Sequence, residues 1–441
     1  MTALRYDELV RELFPRLTAG IRWGLERTRS LLSAVGDPHA SYATIHVGGT
    51  NGKGSVAATI AQVLQAAGHR TGLYSSPHLT TFRERIRIDG VPIAEEALLA
   101  AAGPLWPHIR RAEASFFEAT TAIAFLALAH ARVDVAVVEV GLGGRLDATN
   151  VITPVLSVLT NVSLDHVQLL GHTVEQVARE KAGIIKHAVP VVTAETDPLV
   201  LDVFRARARE VGAAIDVLPP DEPSDVTVSR AGTGLTVHAA RMGRIRVQTP
   251  LIGEHQARNV ALAVHAVDHL QPPLRPEAGV VAAGVAAVSW PGRLQFVRSA
   301  GTTWIYDVAH NEAGVQVLVS ALRGLDLPGP LVMLVGVLGD KDWRAMLRPL
   351  QAAADRVVLT MPPTAPAERC WDPHEVLAEV PSSNTRVVED FTAALEACWR
   401  AAAGGTVVVT GSFHTVGDAM IALAHAPWGS DASLPSPSFV V

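Results

Sequence analysis

A glycine-rich segment with one lysine and one serine is the strongest chemical signal in the chain. It follows the apolar residues 43–47 and precedes an alanine-rich helical pattern. A strand, a glycine-rich turn and a helix start form a phosphate cradle, because backbone N–H groups converge where the helix carries partial positive charge. Lysine adds a point charge for the outer phosphates, and the serine hydroxyl can hold a magnesium ion. The predicted nucleotide-binding residues are Gly49, Thr50, Asn51, Gly52, Lys53, Gly54 and Ser55.

The lysine in this segment is unusual for the composition, since four lysines stand against thirty-three arginines. This chain uses arginine at nearly every basic position, but residue 53 is a lysine. The amine of lysine and the planar guanidinium group of arginine are not chemically interchangeable. The spacing departs from the standard nucleotide loop, because Gly54 separates Lys53 from Ser55. A plain connecting turn is the alternative, but the three residue types at a strand-to-helix junction favour a phosphate site.

Two further strand ends carry candidate metal ligands. Glu139 lies near the end of the apolar run 134–140, and His166 follows the apolar run 154–160. A carboxylate at the carboxyl end of a parallel strand is where the metal of a nucleotide would lie. A neutral imidazole nitrogen could be a second ligand. Either residue alone fits a solvated strand end or a structural histidine, but the upstream phosphate loop favours a metal site.

Lys181 is another of the scarce lysines and lies in a helical pattern that spans residues 174–186. It could be a surface lysine that pairs with Glu180 or Glu175. Its apolar neighbours and the rarity of lysine argue against that interpretation. A neutral lysine amine can also react with carbon dioxide to form a carbamate anion, which arginine cannot do. Such an anion would supply negative charge next to two metal ions.

Three polar clusters follow predicted strands in the last third of the chain. Each would lie at the carboxyl edge of one sheet. Any single cluster could be a turn with a capping residue, but three on one edge favour a binding face. The clusters are Asp307–Asn311, Gly339–Asp342 and Gly411–Thr415.

The order of elements indicates how these residues are positioned. Strand-like apolar runs alternate with helical patterns up to residue 211, and short alternating runs fill residues 217–250. We predict an α/β fold: a P-loop-type doubly wound N-terminal domain with a small antiparallel sheet, plus a smaller Rossmann-like C-terminal α/β domain. The expected domains are 1–290, which carries the phosphate loop, and 291–428. Residues 429–441 are predicted to be a disordered tail.

Composition excludes several classes of function. The 441 residues are 49% hydrophobic and 18% charged, with a formal charge of −6, which gives no support for a nucleic-acid or anionic-membrane surface. The two cysteines are too few for a disulfide framework. No signal peptide is recognisable, and charge or glycine breaks every apolar run before it reaches membrane-spanning length. We expect a cytoplasmic monomer without nucleic-acid or membrane partners.

The motifs together resemble folylpolyglutamate synthase, in the bacterial form that is commonly also a dihydrofolate synthase, within the Mur ligase superfamily. They occur in the family's order across almost the whole chain. One departure is Glu312, where many members have proline. The matching stretches are Gly49–Ser55, Tyr74–Leu79, Glu84–Ile86, Phe117–Glu118, Glu139–Asn150, Leu164–His166, Arg179–Ile184, His255–Asn259, Pro291–Arg293, Asp307–Asn311 and Gly411–Thr415.

The resemblance implies an ATP-dependent carboxylate–amine ligase. It would add L-glutamate to dihydropteroate, to the γ-carboxyl of a reduced folate, or to both, through an acyl phosphate. Closure of the two domains would keep water from that intermediate. The nearest alternative is a muramyl-type ligase of cell-wall synthesis, but only about forty residues precede the phosphate loop, too few for the usual additional domain. A P-loop kinase would leave the second α/β domain without a role.

Site residues carried over from the family follow its motifs. Ser55, Glu139 and His166 would bind Mg²⁺, with two ions expected, and Lys181 would be carbamylated. Asn259 would contact adenine, Arg293 phosphate, and Asp307 and His310 ATP. The implied catalytic set is Lys53, Glu139, His166, Lys181, Arg293 and His310. The implied substrate-binding residues are Ser76, Pro77, His78, Arg85, Phe117, Arg145 and Asp147 on the pterin side, and Ser412 and His414 for glutamate.

Overall fold

The computed structural model describes residues 5–18 and 23–425. The chain divides into two compact units. The first comprises Met1–Thr227, Gly234–Pro250 and Gln256–Ser289, and the second Val228–Thr233, Leu251–His255 and Trp290–Val441. The domain limits expected from the sequence stay predictions, and the predicted tail 429–441 lies outside the described residues.

An eight-stranded sheet forms the centre of the first unit. Its strands are β1 Ala43–Gly48, β2 Thr71–Tyr74, β3 Ile86–Ile88, β4 Val91–Pro92, β5 Val135–Glu139, β6 Leu156–Leu159, β7 Val191–Thr193 and β8 Ile215–Val217. They are arranged in the order β4-β3-β2-β5-β1-β6-β7-β8. The strands from β2 to β8 in this order are parallel, and β3 and β4 pair antiparallel at one edge. The five residues of β5 are all buried, as expected for a parallel strand covered on both faces.

Helices cover this sheet and continue to residue 286. They are α1 Tyr6–Leu13, α2 Pro15–Thr18, α3 Glu26–Ser33, α4 Lys53–Ala66, α5 Glu95–Arg111, α6 Phe116–His130, α7 Val167–Leu170, α8 Val174–Ala182, α9 Pro198–Glu210, α10 Glu254–His269 and α11 Ala278–Ala286. The helix α6 is apolar on nearly every side and twelve of its residues are buried, which is typical of a helix inside a core. The helix begins at a capping box, in which the Ser115 side chain accepts the Glu118 N–H.

A three-stranded sheet follows in the chain, at the place where the sequence predicts a small sheet. It has the order β11-β10-β9. Its strands are β9 Ser224–Ser229, β10 Gly232–Ala239 and β11 Gly243–Thr249.

The second unit contains a six-stranded sheet with the order β12-β13-β17-β14-β15-β16. All neighbours pair in parallel except β12 and β13. Its strands are β12 Gln295–Ser299, β13 Thr302–Tyr306, β14 Leu331–Val335, β15 Arg356–Leu359, β16 Thr385–Val387 and β17 Thr406–Thr410. Its helices are α12 Glu312–Gly324, α13 Trp343–Ala353, α14 Pro373–Glu379, α15 Phe391–Ala402 and α16 Phe413–His425. The predicted mixed α/β class is therefore confirmed.

One helix ends earlier than its sequence pattern indicates. The pattern extends over residues 174–186, but α8 ends at Ala182. A Cβ on Gly183 would lie 2.3 Å from the Cα of Arg145, so the chain passes close to another backbone at this point. Ile184 and Ile185 are buried beyond the helix end, which explains the apolar signal. Within the described part of the chain, every helix is too short or too polar to cross a bilayer.

Candidate active site

The phosphate loop lies between β1 and α4 and depends on two glycines. Gly49 has φ of 135° and Gly52 has φ of 84°, both in the region that favours glycine. A Cβ on Gly49 would lie 1.8 Å from Oγ1 of Thr160, which is buried directly beneath it. A Cβ on Gly52 would lie 2.4 Å from Oδ1 of Asn259, on α10. The loop is therefore packed against the end of β6 and against the residue predicted to contact adenine.

The segment after β6 holds the loop in place. The amide of Thr50 donates to the carbonyl of Asn161 at 2.7 Å, and the amide of Asn51 donates to Oδ1 of Asn161 at 3.0 Å. The amide of Ser163 donates to Oγ1 of Thr50 at 3.1 Å. The amides of Thr50 and Asn51, two residues predicted to bind nucleotide, therefore donate their hydrogen bonds to Asn161. The N–H groups in the first turn of α4, which begins at Lys53, are the donors that a helix itself leaves without partners.

The metal candidates lie at adjacent strand ends. Glu139, the last residue of β5, is in register with Val47 of β1. Glu139 is 5% exposed, and its Oε2 accepts the amide of Ser76 at 3.1 Å. Ser55, in the first turn of α4, is 1% exposed, and within the described residues its Oγ has no hydrogen-bond partner. A buried hydroxyl without a partner and a buried carboxylate at adjoining element ends are an oxygen donor set that fits Mg²⁺.

His166 is the third predicted ligand and occupies the residue before α7. Its φ is 50°, and its side chain is 40% exposed. Its Nε2 lies 3.9 Å from Oδ1 of Asp165. The ring is partly accessible, and its role as a metal ligand stays a prediction.

Lys181 is buried in the last turn of α8 and is 4% exposed. Its Nζ donates to the carbonyl of Gly49 at 2.7 Å. Burial, with the nearby charge of Lys53, lowers the pKa of Lys181 to about 7. Lys53 itself donates from Nζ to the carbonyl of Thr50 at 3.1 Å. The structure thus brings two of the three lysines of this unit, Lys53 and Lys181, to the phosphate loop.

A chain of hydrogen bonds fixes the side chain of Asp147 in the segment that follows β5. Thr149 donates its hydroxyl hydrogen to Oδ1 of Asp147, so Oγ1 of Thr149 accepts from Nε2 of His46 at 2.9 Å. The amide of Leu142 donates to Oδ2 of Asp147 at 2.8 Å. Burial raises the pKa of Asp147, and these hydrogen bonds oppose that shift. The sequence prediction did not select His46, which is buried in an apolar strand, or Thr149, which follows Asp147 within a motif from which other residues were chosen.

The predicted pterin-side residues form two groups. In the first, Nε of Arg85 donates to Nδ1 of His78 at 2.8 Å, and the guanidinium carbon lies 5.1 Å from the ring centre of Phe116. Arg85 is 6% exposed, and burial lowers its pKa to about 10. Within the described residues, its Nη1 has no hydrogen-bond partner. It is a buried cation with a donor left to offer.

The second group surrounds Gly141. A Cβ on Gly141 would lie 3.2 Å from Oδ2 of Asp147 and 3.4 Å from Cε1 of Phe117. The structure therefore brings Phe117 and Asp147 together. Arg145 instead pairs with Glu180 at 2.9 Å and is 55% exposed on its side chain, so the contacts described do not connect it with this group.

In the second unit, an aromatic ring joins two predicted residues. The guanidinium carbon of Arg293 lies 5.2 Å from the ring centre of Phe413, and the rings of His310 and Phe413 are 5.6 Å apart. Asp307 accepts the amides of Leu294 and Ala309, each at 2.9 Å, and burial raises its pKa. Phe413 was not selected from the sequence, where it is one residue of a polar motif.

The two predicted glutamate-binding residues have different environments. Oγ of Ser412 accepts the amide of Thr415 at 3.0 Å, which is how a capping residue starts a helix. Nδ1 of His414 lies 2.9 Å from Oγ1 of Thr364. The amide of Thr364 donates to Asp418 at 3.0 Å. Burial lowers the pKa of His414 and Asp418 opposes that shift. Thr364 and Asp418 are the members of this group that the sequence did not indicate.

Two family models match the chain. One is described as the Mur ligase middle domain and matches residues 47–267. The other is described as the Mur ligase, glutamate ligase domain and matches residues 292–413.

Several known proteins are similar over nearly the full length. The chain is 37% identical over 427 residues to a protein of Lacticaseibacillus casei named folylpolyglutamate synthase, covering 93% of this chain and 97% of that protein. It is 33% identical to a Bacillus subtilis protein named dihydrofolate synthase/folylpolyglutamate synthase, with 91% and 95% covered. A Mycobacterium tuberculosis folylpolyglutamate synthase solved in complex with ADP has a TM-score of 0.85 and 34% identity, with 94% and 97% covered.

Proposed function

The chain belongs to the folylpolyglutamate synthase/dihydrofolate synthase family of Mur ligases, and from this premise we propose how its residues carry out the ligation. The enzyme is an ATP-dependent ligase that joins glutamate to a folate. The observation that carries the proposal is the phosphate loop, where Lys53 and Lys181 both donate to loop carbonyls. We assign the triphosphate of ATP to this loop, and adenine to the neighbourhood of Asn259.

The reaction needs an activated acid, because a carboxylate would otherwise have to expel oxide. Transfer of the γ-phosphoryl group to the folate carboxylate gives an acyl phosphate, and the glutamate amine then attacks its carbonyl carbon and releases phosphate. Lys53 lies at the start of α4, where its charge would balance the charge that spreads over the transferring oxygens. In this proposal the amide forms at the expense of the phosphoric anhydride bond of ATP.

Ser55, Glu139 and His166 would hold Mg²⁺. The buried Ser55 hydroxyl, which has no hydrogen-bond partner among the residues that the structure describes, supports that assignment. When bound, the ion would neutralise phosphate charge. Lys181 supplies a neutral amine because burial lowers its pKa to about 7. We propose that this amine carries a carbamate, whose oxygens would add negative charge beside the metal ligands.

We propose that the enzyme accepts both dihydropteroate and reduced folates. Arg85 and Phe117, from the two groups on the pterin side, would hold the pterin and the adjoining ring. The remaining donor of Arg85 is buried and suits a polar edge of the substrate. Arg293, Asp307, His310, Ser412 and His414 are assigned to ATP and glutamate. The monomeric state and the cytoplasmic location stay predictions.

Phosphate release from ATP tests the function. The purified chain is assayed with dihydropteroate, and separately with a reduced folate, with and without L-glutamate. Release that needs both the pteroate and glutamate supports the ligase. Phosphate release that is unchanged when the pteroate and glutamate are both omitted, with no amide product, would indicate a simple ATPase and contradict the proposal.

Two lysine variants locate the reaction at the phosphate loop. We expect Lys53→Ala to lower turnover by at least a hundredfold (roughly the loss of one charge-stabilising group). Lys186→Ala is the matched control, because its Nζ donates to the carbonyl of Asn150 and lies outside the proposed machinery. Near-normal product formation by Lys53→Ala would refute the assignment.

A further inference from the structure

The strand β8 and the helix α10 bring together a carboxylate and two imidazoles that ligation does not use. Asp216 is the middle residue of β8, and His265 and His269 lie one turn apart at the end of α10. Residues four apart share a helix face. One ligand atom from each of the three side chains lies within 4.8 Å of the others. All three residues belong to the first compact unit.

The hydrogen bonds of His269 identify its available nitrogen. Its Nδ1 lies 2.9 Å from the carbonyl oxygen of His265. A carbonyl oxygen only accepts, so Nδ1 carries the hydrogen and donates it. Nε2 then faces Oδ2 of Asp216 at 3.2 Å. Two lone-pair atoms repel at this distance unless a proton or a metal ion lies between them. A histidine held by a backbone carbonyl through one nitrogen is how proteins orient a metal ligand.

The second imidazole is more deeply buried. The side chain of His265 is 7% exposed, and its Nε2 lies 2.7 Å from the same Oδ2 of Asp216. Within the described residues, its Nδ1 is buried and has no hydrogen-bond partner. Such a nitrogen is uncommon in a folded protein and indicates a group with a further role. Ligand atoms around a tetrahedral ion with bonds of about 2.0–2.1 Å lie roughly 3.3 Å apart. The contact of His269 with Asp216 already has this spacing, and His265 would have to move by about half an ångström.

The surroundings favour a cation. His269 is the last residue of α10, where the helix carries partial negative charge. The neighbouring carboxylate of Asp268 is occupied, since it accepts the amides of Arg241 at 3.0 Å and Met242 at 3.1 Å. These bonds fix the end of α10. The side chains of Asp216 and His269 are 45% and 21% exposed, so ions in solution can reach them.

We propose that Asp216, His265 and His269 bind a divalent transition-metal ion of the zinc class, with water completing the coordination. Two imidazoles and one carboxylate suit Zn²⁺, Ni²⁺ or Cu²⁺ rather than Mg²⁺. The site is therefore distinct in chemistry from the oxygen-rich nucleotide site. Its bound ion joins the edge strand β8 to α10, the helix that also carries Asn259.

Calorimetric titration with Zn²⁺ tests the site. The protein is chelator-stripped, carries no histidine tag and is titrated well above the ordinary titration range of histidine, because metal ligands must be deprotonated. His166→Ala serves as the parent so that the catalytic histidine does not compete. We expect one Zn²⁺ per chain. In this parent, the further substitutions Asp216→Asn and His269→Ala should each weaken Zn²⁺ binding at least tenfold. The control substitution His238→Ala removes an exposed histidine that pairs with Glu222, and it should leave Zn²⁺ binding unchanged.

Two further measurements distinguish a specific metal site from nonspecific Zn²⁺ binding. Zn²⁺ should raise the melting temperature of the parent more than that of the His269→Ala variant, because binding to the folded state alone stabilises it. Co²⁺ should give the visible spectrum of a low-symmetry site in the parent and lose it in both variants. If both variants bind Zn²⁺ as the parent does, or if the folded parent binds none, the proposal is wrong.

Discussion

Lys181 donates a hydrogen bond from Nζ to the carbonyl oxygen of Gly49, with 2.7 Å between the two atoms. The two residues are 132 positions apart in the chain. The contact places a buried amine at the first residue of the phosphate loop. Because burial lowers the pKa of this amine to about 7, a large share of it is neutral at neutral pH. A neutral amine is the form that can take up carbon dioxide.

We expect Lys181→Ala to lower kcat at least tenfold (roughly the cost of losing one group beside a metal site). Acetate or formate should restore part of the activity, because a small carboxylate can occupy the space of the carbamate. Lys181→Arg should be inactive without such rescue, since its planar fork fills the space. Steady-state kinetics with and without added carboxylate measure this effect.

Lys186→Ala is a control for the loss of a lysine with a perturbed pKa. Burial, with the charges of Arg29 and Arg207, lowers the pKa of Lys186 to about 8. Its activity should stay near that of the parent and should not respond to carboxylates. Full activity of Lys181→Ala in the absence of carboxylates would contradict the carbamate.

Ser55→Ala should separate activity from stability. The hydroxyl of Ser55 is buried and, within the described residues, lacks a hydrogen-bond partner. Its removal should leave the free energy of unfolding of the ligand-free protein unchanged or raise it by about 1 kcal/mol, because a buried unsatisfied group is lost. Activity should fall at least tenfold (about the cost of one lost metal contact). Denaturant unfolding and a Mg²⁺ titration of the rate give the two measurements.

Thr59→Val is the matched control on the same helix. The Thr59 hydroxyl donates to the carbonyl of Ser55 at 2.7 Å, so its removal should cost roughly 1 kcal/mol of stability with the Mg²⁺ dependence unchanged. Equal loss of stability in the two variants would show that the Ser55 hydroxyl is satisfied in solution.

The order of elements was predictable because the strands of the first sheet are continuous apolar runs. Val135–Glu139 is buried throughout, so its hydrophobicity is unbroken. The short strands β3 and β8 gave no such signal, since a charged residue interrupts the three residues of each strand. Hydrophobic periodicity also extended past the end of α8, because buried residues continue into the loop.

The sequence indicated site candidates where they lie at or just beyond strand ends, as Glu139 and Lys53 do. Their roles stay predictions. The partners that fix the site were hidden, because a contact such as His46 with Thr149 depends on which strands become neighbours. The sequence also predicted Thr50 and Asn51 as nucleotide-binding residues, but it could not show that their amides donate to Asn161.

Gly49→Ala should destabilise the enzyme and abolish ATP binding. At φ of 135° any side chain is strained, and the new Cβ would lie 1.8 Å from Oγ1 of Thr160. We expect a loss of about 2–4 kcal/mol in the free energy of unfolding, since strain and overpacking combine. Gly68→Ala is the control, because Gly68 has φ of 90° with no heavy atom within 4 Å of the added Cβ.

A double variant isolates the steric part. Thr160→Ala removes the atom that would lie nearest, so Gly49→Ala should cost less in that background. Denaturant unfolding of the four proteins measures the coupling. Additive costs would show that the Thr160 contact is not the cause.

The stability of the enzyme should fall in mild acid through His46. Burial, with the charge of Lys186, lowers the pKa of His46 from 6.5 to about 3. Between these two values the unfolded chain binds more protons than the folded chain, so each drop in pH favours unfolding. Above pH 6.5 the titration of His46 does not affect stability. At pH 5 it lowers the free energy of unfolding by about 2 kcal/mol.

His46→Leu tests this pH dependence. The variant loses the hydrogen bond to Thr149, so it should be less stable at pH 7, but its stability should fall less between pH 7 and pH 5. His172→Leu, which changes an exposed histidine, should keep the slope of the parent. Urea unfolding at a series of pH values gives the slopes. Equal slopes for the parent and His46→Leu would mean that His46 becomes protonated in the folded protein over this pH range. The chain of hydrogen bonds from His46 through Thr149 to Asp147 would then start from a charged imidazole.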